Sequence, residues 1–446
     1  MTIYTTYKVK IKHYSHIFKD TVSMYRRSVA FFIDVCLNEW HIIAPTLSQQ
    51  NACISVMEHL TVPTGKRPIV KYDFNKSFYK MPCYLRRAAI MDAVGRISSY
   101  KSNLANWEST DVKSRGKEPT IPKAGLAYPC LYKGNMYMPN DTYEARIKVY
   151  IRNTWDWITV NLRKSDMDYI YRRCNTRKQC APTLQKRGKE WFLDFPFEEK
   201  TKLTDTDIFN QTVLAVDLGL NNAATISVMQ PDGTILGRHF CKLPKEYDSL
   251  KHSINRTKKA QQHGNRKTPR LWARAKGIND DIAVKTANFI MDTAFLYNAD
   301  TIVFEHLDTA GKKRGSKKQR LHMWRSQYVQ SMVTDKAHRL GMRISRICAW
   351  GTSRLAFDGS GCVLRGREAD LKSYSVCKFQ NGKVYNCDLS ASYNIGARYY
   401  IREILKSLPE RDRLVLEAKV PQATKRSTCT FSTLVNLNAE LMLLAA

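Results

Sequence analysis

Two short apolar runs in the second half of this chain each end on a carboxylate. Residues 214–216 precede Asp217, and residues 301–304 precede Glu305. Runs of this length fit buried strands, and a carboxylate at the end of a buried strand is costly unless a positive group meets it. The pattern therefore predicts buried strands whose ends carry an acidic site.

A third acid, Asp388, opens a predicted helix that runs through Tyr393, Ile395 and Tyr399. Hard divalent cations take oxygen ligands, so three acids converging from two strand ends and a helix start would suit a pair of Mg²⁺ ions. Two such ions can clamp the attacking and leaving oxygens of a phosphodiester. Each acid could instead be an ion-pair partner or a helix cap, a position that Asp favours.

The sequences around these acids resemble a known set of motifs. The three segments read DLGLNN from Asp217, IVFEHL around Glu305 and DLSASYNI from Asp388. In this order they resemble the three catalytic segments of the RuvC-like nuclease domain in transposon-encoded TnpB proteins and in compact type V CRISPR effector nucleases. The resemblance covers residues 205–400. It implies that Asp217, Glu305 and Asp388 are the catalytic residues and the ligands of two Mg²⁺ ions.

The same resemblance implies a multidomain α+β fold. Residues 1–205 would form a β-barrel-like wedge domain with a helical recognition insertion at about 15–125. An RNase H-like (RuvC) α/β domain would take residues 206–345, with a basic helical insertion at about 242–278, and would end with a C-terminal tail in 387–446. Between these parts, residues 346–386 would form a degenerate zinc-ribbon-like insertion that binds target nucleic acid.

Periodicity in the first half fits a small β-domain interrupted by helices. Apolar residues alternate over 3–11, 145–151 and 191–195, which predicts strands. They recur every three or four residues over 18–36, which predicts an amphipathic helix, and Pro82 stands where another helix could begin. The polar stretch 101–123 carries two prolines and is predicted to be a connection.

The chain is strongly basic, with 72 Lys and Arg against 40 Asp and Glu and a net charge of +32. Such an excess is typical of proteins that bind a polyanion, most often a nucleic-acid backbone. No apolar run is long enough to span a membrane, and the first residues lack a signal-peptide pattern. The 12 cysteines are therefore expected to be reduced thiols of a cytoplasmic, prokaryotic protein.

Three basic tracts are candidates for nucleic-acid contacts. The tract 163–187 interleaves cations with tyrosines, the tract 242–276 follows a predicted Asp-Gly hairpin turn, and the cluster 312–320 follows the strand of Glu305, where the family has a lid. The candidate residues are Arg172, Arg173, Arg177 and Lys178 in the first tract, Lys258, Lys259, Arg266, Lys267 and Arg270 in the second, and Lys312, Lys313 and Arg314 in the third. For any single residue, an ordinary solvated surface is the alternative.

The segment between Glu305 and Asp388 departs from the family pattern. The family places two closely spaced cysteine pairs for zinc after a Thr-Ser dipeptide, which Thr352 begins here. The first pair falls on Ala356 and Gly359, neither of which binds metal. Zinc ribbons use short spacers between paired cysteines, whereas the remaining cysteines, Cys348, Cys362, Cys377 and Cys387, lie far apart. Their convergence on zinc stays open, but the spacing favours a metal-free remnant.

The sequence is thus interpreted as an RNA-guided DNA endonuclease. A guide RNA would pair with the target strand of double-stranded DNA, and one Mg²⁺-dependent site would hydrolyse its phosphodiester bonds. The alternatives are an RNA-guided DNA binder that cleaves little or not at all, and a RuvC-like nuclease without a guide. The origin of the guide, as CRISPR RNA or transposon-derived RNA, stays open, and so does the choice between monomer and homodimer.

Overall fold

The protein is described by a computed structural model that covers residues 1–12, 16–112, 115–307, 323–373 and 375–445. It divides into two compact units, residues 2–199 and residues 200–446 together with Met1. Both units contain helices and sheets, so the predicted multidomain α+β class is confirmed. Within the described residues no helix is both long and apolar enough to cross a membrane.

The N-terminal unit, residues 2–199, contains a helical layer and two small sheets. Its helices are α1 (His16–Ile43), α2 (Gln50–Thr61), α3 (Phe74–Ser77), α4 (Cys83–Ser109) and α5 (Lys164–Cys174). Its strands are β1 (Thr2–Lys10), β2 (Tyr137–Asp141), β3 (Glu144–Ile151), β4 (Thr154–Asn161), β5 (Lys178–Gln179), β6 (Thr183–Arg187) and β7 (Glu190–Lys200). The first helix and the strands predicted from alternation are therefore confirmed.

The two sheets of this unit meet at an isolated bridge. Strands β2, β3 and β4 form an antiparallel meander, and β7 pairs with β1, β5 and β6. The bridge joins Ile11, just beyond β1, to Leu162, just beyond β4. A single apolar core runs from Val9 through α1 and α4 to Phe195. The arrangement joins the sheets at one corner, and the barrel-like closure stays a prediction.

Two elements of this unit differ from the sequence prediction. The segment predicted as a connection from residue 101 is helical as far as Ser109, because polar residues do not break a helix, and the prolines Pro119 and Pro122 lie beyond its end. Helix α5 lies inside the first basic tract, where the prediction gave no helix. It buries Met167, Ile170 and Cys174 at helical spacing, a pattern that the surrounding charges obscured.

The C-terminal unit is built on a five-stranded sheet. The strands are β8 (Val213–Asp217), β9 (Ala224–Met229), β10 (Ile235–Cys241), β11 (Thr301–His306) and β12 (Arg343–Cys348), in the order β10-β9-β8-β11-β12. The first three strands are antiparallel, and β11 pairs in parallel with both β8 and β12. The predicted Asp-Gly turn joins β9 to β10 as expected.

Helices cover both faces of this sheet. They are α6 (Pro244–Gln262), α7 (Pro269–Leu296), α8 (Ser326–Arg339), α9 (Cys387–Ser407), α10 (Glu410–Lys419) and α11 (Phe431–Ala445). Leu214 and Val216 of β8 pack towards α7 and α8, whereas Val213 and Ala215 pack towards α9 and α11. A strand buried on both faces explains the uninterrupted apolar run before Asp217.

A small antiparallel sheet lies between β12 and α9. It consists of β13 (Leu364–Arg365), β14 (Val376–Lys378) and β15 (Val384–Asn386). Strand β15 leads directly into α9, so this sheet stands at the start of the helix that carries Asp388. All 12 cysteines of the chain carry free thiols.

Candidate active site

The parallel register of β8 and β11 brings Asp217 and Glu305 side by side. Val216 is paired with Phe304, and each acid is the next residue of its strand. Because side chains alternate along a strand, both acids project from the face opposite to Val216 and Phe304. Those two residues belong to the core beneath α7 and α8. The acids therefore project towards α9.

Asp388 reaches the same place from the first turn of α9. The helix packs closely on the sheet, because a Cβ atom on Gly396 would lie 3.2 Å from Cβ of Ala215 and 2.3 Å from Sδ of Met229. Asn386, rather than Asp388, is the N-cap, and its side chain accepts a hydrogen bond from the amide of Leu389 at 2.9 Å. The alternative that Asp388 caps this helix is therefore wrong, since Asn386 performs that role.

Burial and neighbouring charges shift the pKa values of two of the three acids. Burial raises the pKa of Asp217 well above its usual value, and the charges of Glu305 and Asp388 raise it further. Burial also raises the pKa of Glu305. The opposing positive charges are Arg365 of β13, which lowers the pKa of Asp217, and Arg398 of α9, which lowers that of Glu305. The site is a cluster of like charges that these two cations offset only in part.

The loop after β8 orients Asp388. The side-chain amide of Asn222 donates a hydrogen bond to Oδ2 of Asp388 at 2.9 Å. The loop folds back tightly at Gly219, where a Cβ atom would lie 2.8 Å from the carbonyl oxygen of Asn222. The DLGLNN segment thus supplies an acid, a tight turn that only glycine fits, and an amide that holds the third acid.

Glu305 is held by a buried hydroxyl. Thr352 hydrogen-bonds Oε1 of Glu305, and its Oγ1 also lies 2.9 Å from the carbonyl oxygen of Ala349. The Thr352 hydroxyl donates to the Glu305 carboxylate, and this bond lowers the pKa of Glu305 against the larger raising effect of burial. Gln330 of α8 donates a hydrogen bond to the backbone carbonyl of Glu305 at 3.0 Å and fixes the strand end.

Asn394 joins the third motif to the loop of Thr352. Its amide donates to the carbonyl oxygens of Thr352 and Leu355, each at 2.9 Å, and its Oδ1 accepts from the amide of Phe431 at 3.0 Å. The side chain is fully buried and all these bonds are to backbone. Asn394 therefore fixes the geometry of this loop.

Arg398 holds a buried positive charge one helical turn further along α9. Its guanidinium donates to the carbonyl oxygens of Cys348, Trp350, Ser427 and Cys429 at 2.8–3.0 Å. No carboxylate within the described part of the chain forms an ion pair with it. Its charge therefore remains available to offset Glu305 from a distance.

The chemistry of these donors fits a hard divalent cation. Three carboxylates on rigid elements, with too little positive charge around them, are the oxygen ligands such ions prefer. The arrangement is not closed around an ion: among the described residues, no group of three or more His, Cys, Asp or Glu side chains is placed to hold a metal. One oxygen of Glu305 is hydrogen-bonded to Thr352, and one oxygen of Asp388 is hydrogen-bonded to Asn222.

The insertion at residues 346–386 is held by side-chain packing. Ala356, where the family has a cysteine, is fully buried beside Cys377, Phe379 and Cys387. Gly359 adopts φ +80° and leaves no room for a side chain, since a Cβ atom would lie 2.4 Å from Oγ of Ser432. Two rings extend this core, as Phe357 packs against Tyr385 and Tyr393.

The four cysteines of this insertion occupy different surroundings. Cys377 and Cys387 are buried neighbours whose thiols hydrogen-bond each other. Cys348 is exposed and Cys362 is partly exposed. The metal-free remnant stays a prediction, for which elemental analysis should give well below one zinc per chain.

The candidate nucleic-acid contacts differ in how far they are free. Arg177 and Lys178 pair with Glu199 and Glu198 at 3.2 Å and 3.0 Å. The other candidates of the first two tracts are exposed cations, namely Arg172, Arg173, Lys258, Lys259, Arg266, Lys267 and Arg270. Lys312, Lys313 and Arg314 lie outside the described residues. The second tract occupies α6, the α6–α7 connection and the start of α7.

Four residues of the site went unassigned in the sequence analysis. Asn222 lies inside a recognised motif, and Thr352 begins the Thr-Ser dipeptide, so their spacing offered a signal. Arg365 and Arg398 carried none that separates them from the other cations of a basic chain. Their placement depends on tertiary packing alone.

Comparison with known proteins bears on each half of the chain. Residues 5–151 match the Aq_aa04 family. An uncharacterized protein of Aquifex aeolicus, aq_aa04, is 28% identical over 121 residues, which are 25% of this chain and 68% of that protein. The TnpB-like protein aq_aa05 of Aquifex aeolicus is 26% identical over 237 residues, which are 47% of this chain and 74% of that protein.

Solved structures offer weaker likenesses. A Cas12f1–sgRNA–target DNA complex matches with a TM-score of 0.34 and 11% identity, over 88% of this chain and 98% of that one. An AacC2c1–sgRNA binary complex matches with a TM-score of 0.42 and 11% identity, over 84% of this chain and 65% of that one. Scores this low do not establish a common fold. The relation to aq_aa05 does confirm the resemblance found in the three acidic segments: this chain is a homologue of a TnpB-like protein.

Proposed function

We propose that this protein is an RNA-guided DNA endonuclease with one active site at Asp217, Glu305 and Asp388. The observation that supports it best is the convergence of these acids at the end of β8 and β11 and the start of α9. Homology to a TnpB-like protein supports the same proposal. In it, the five-stranded sheet is the core of an RNase H-like (RuvC) domain, and the N-terminal unit is the wedge domain with its recognition helices.

In this proposal the three carboxylates hold two Mg²⁺ ions. Such ions lower the pKa of bound water and stabilise the charge of a leaving oxygen. The protein's own residues have separate tasks. Asp217 and Glu305 are fixed by the rigid edges of paired strands, Asn222 aims Asp388, and Arg365 stands where it offsets the charge of Asp217 and can meet a substrate phosphate.

The basic surface would carry the guide RNA and the target duplex. Helix α6 and the start of α7 present exposed cations from Lys258 to Arg270, and such groups follow a phosphate backbone without reading sequence. Sequence would be read by pairing between guide and target strand, as in other RNA-guided systems.

A second candidate is an RNA-guided DNA binder that cleaves poorly. It is favoured by one specific observation, that oxygens of Glu305 and Asp388 are engaged by Thr352 and Asn222 while no described group of acids is placed around an ion. If these hydrogen bonds do not rearrange when Mg²⁺ is added, binding of DNA would continue without cleavage.

The two candidates separate in one experiment. RNA that copurifies with the protein is sequenced, and a DNA target complementary to it is offered with Mg²⁺. The endonuclease should cleave this target, and Asp217→Ala and Glu305→Ala should reduce cleavage to background while guide-directed binding persists, because removing a ligand leaves the backbone contacts intact.

The matched control is Asp232→Ala, which removes an exposed acid from the β9–β10 turn of the same unit and should leave cleavage intact. Binding without cleavage by the wild-type protein would favour the second candidate. Loss of binding together with cleavage in both triad variants would show that the acids are structural.

A further inference from the structure

A cavity in the C-terminal unit is lined mainly by positive charges, in contrast to the acidic site. It has a volume of about 320 Å³ and lies between the end of β12, the second half of α9, α10 and the segment that follows α10. Among the described residues, its wall contains one carboxylate, that of Glu417, and six cations. The cations are Arg346, Arg398, Arg402, Lys406, Arg413 and Arg426. Its size is at the lower end of the range for small-molecule sites.

Neighbouring acids neutralise only some of these cations. Glu403 pairs with Arg402 at 2.6 Å and with Lys406 at 3.3 Å. Arg346 and Arg426 form no ion pair within the described part of the chain, and Arg398 bonds only to backbone carbonyls there. After this pairing, the cavity retains an excess of positive charge that its own walls do not offset.

One donor in the wall also lacks an acceptor. The Nε atom of Arg413 is buried and has no hydrogen-bond partner among the residues that the structure describes. The nearest carboxylates, those of Glu410 and Glu417, lie 3.9 Å from the Arg413 guanidinium, which is too far for a hydrogen bond. Buried donors in folded proteins are almost always satisfied, and the Arg413 side chain as a whole is 40% exposed, so an anion from solution can supply the acceptor.

Apolar side chains also contribute to the wall. Ile347, Ile401 and Leu405 are buried residues that contribute to it, together with Ala423. Arginine binds phosphate through two parallel hydrogen bonds, and an apolar wall beside it suits the flat face of a ring. The combination fits a phosphate group attached to a planar, weakly polar group.

We propose that this cavity binds one nucleotide phosphate, either as a free mononucleotide or at the end of a nucleic-acid strand. The cavity lies further along α9 than the acids: Arg398, which also offsets the charge of Glu305, is ten residues from Asp388, about 15 Å at the helical rise. It does not depend on the proposed endonuclease activity.

Binding is tested on the full-length chain after bound nucleic acid has been removed. Inorganic phosphate and deoxyadenosine 5′-monophosphate are titrated by calorimetry at constant ionic strength, with chloride as the reference anion. Both should bind, and Arg413→Gln and Arg426→Gln should each weaken binding about tenfold, as the loss of one charge-assisted hydrogen bond does.

The matched control is Arg411→Gln, which removes an exposed cation from the same helix α10 outside the cavity and should leave the affinity unchanged. Arg413→Lys keeps the charge but loses the planar fork, so its affinity should fall between those of wild type and Arg413→Gln. If Arg413→Gln does not fold, the test is made with Arg426→Gln alone. Arg426 is exposed, so its replacement should not disturb the fold.

Two short single strands of identical sequence, one with a 5′-phosphate and one with a 5′-hydroxyl, distinguish the sources. Stronger competition by the phosphorylated strand, lost in Arg426→Gln, would assign the site to a strand end. Equal and weak competition by both strands would assign it to a free mononucleotide. Absence of binding to the wild-type protein, or equal losses in Arg411→Gln and Arg426→Gln, would overturn the proposal.

Discussion

Asp217 is expected to destabilise the protein when no cation is present. Burial and the charges of Glu305 and Asp388 raise its pKa, so the folded state holds this proton more tightly than the unfolded chain does. The contribution of Asp217 to stability is therefore fully present below about pH 4, the unfolded pKa of Asp. It is lost as the pH rises through the raised folded pKa.

Asp217→Asn should remove the loss of stability that ionisation of Asp217 causes as the pH rises. In a chelator at pH 7, we expect the variant to be more stable than wild type by on the order of 1–3 kcal/mol, the cost of an unsatisfied buried polar group. The difference should shrink as the pH falls towards 4. Mg²⁺ should stabilise wild type but not the variant. Denaturant unfolding at several pH values measures this, and a less stable variant at pH 7 in chelator would contradict it.

Asn222 is expected to act through Asp388. Asn222→Ala removes the hydrogen bond to Oδ2 of Asp388, and groups that orient metal ligands typically contribute about 10–100-fold to activity or metal affinity. Target cleavage should slow by this factor, and more Mg²⁺ should be needed for half-maximal rate, while DNA binding stays unchanged. Asn438→Ala is the control, since it also removes a hydrogen bond donated by a side-chain amide, here to the backbone carbonyl of Pro231, away from the acids. Equal effects of the two variants would argue against orientation of Asp388.

At the scale of elements, the position of Asp388 depends on how closely α9 packs on the sheet. Gly396→Ala would place a methyl group 2.3 Å from Sδ of Met229 and 3.2 Å from Cβ of Ala215. Overpacking of this kind typically costs about 1–3 kcal/mol, against a gain of about 1 kcal/mol in helix propensity. We expect a net loss in the free energy of unfolding.

The Met229 side chain is flexible, so its removal tests the cause. Gly396→Ala should also slow cleavage, because it moves α9 and with it Asp388. Combining it with Met229→Ala should recover part of this cleavage but less of the lost stability, because the double variant creates a void near Met229. Gly277→Ala, in the open middle of α7 with nothing near its Cβ position, is the matched control and should be neutral or stabilising.

The elements could be predicted to different degrees from the sequence. Strand β8 and the acid after it were predictable, because burial on both faces leaves an uninterrupted apolar run. Helix α5 was missed, since charges surround its three buried residues. That Asp217 and Glu305 are neighbours could be predicted only with the parallel register of β8 and β11. That Arg365 lies near them could be predicted only with the fold of the insertion. Long-range neighbours of this kind leave no trace in local periodicity.

At the scale of the whole molecule, the positive charge is shared by both units. Residues 1–199 hold 32 Lys and Arg against 18 Asp and Glu, and residues 200–446 hold 40 against 22. Both units thus have an excess of positive charge, which a polyanion in contact with both of them would explain. A long structured RNA has the length and charge for this role.

The protein should therefore purify with RNA, and its removal should lower thermal stability. Nuclease treatment in high salt is expected to lower the midpoint of thermal unfolding, and binding of the recovered RNA should weaken steeply between 50 and 200 mM salt, as counterion release requires at about these concentrations. Sequencing of the bound RNA identifies the guide. A protein that carries no nucleic acid and shows no salt-dependent binding would contradict the guided function.

Helix α9 also determines when the acidic site can be completed during synthesis, because it supplies the third acid. It is buried along most of its length and covers the face of the sheet that holds Val213, Ala215 and Val303. The ribosome makes Asp217 and Glu305 well before this helix, so the nascent sheet has one uncovered apolar face and two of its three acids. The N-terminal unit, complete by residue 199, can fold first. A nascent chain can therefore acquire the basic surfaces of its N-terminal unit before it acquires all three acids.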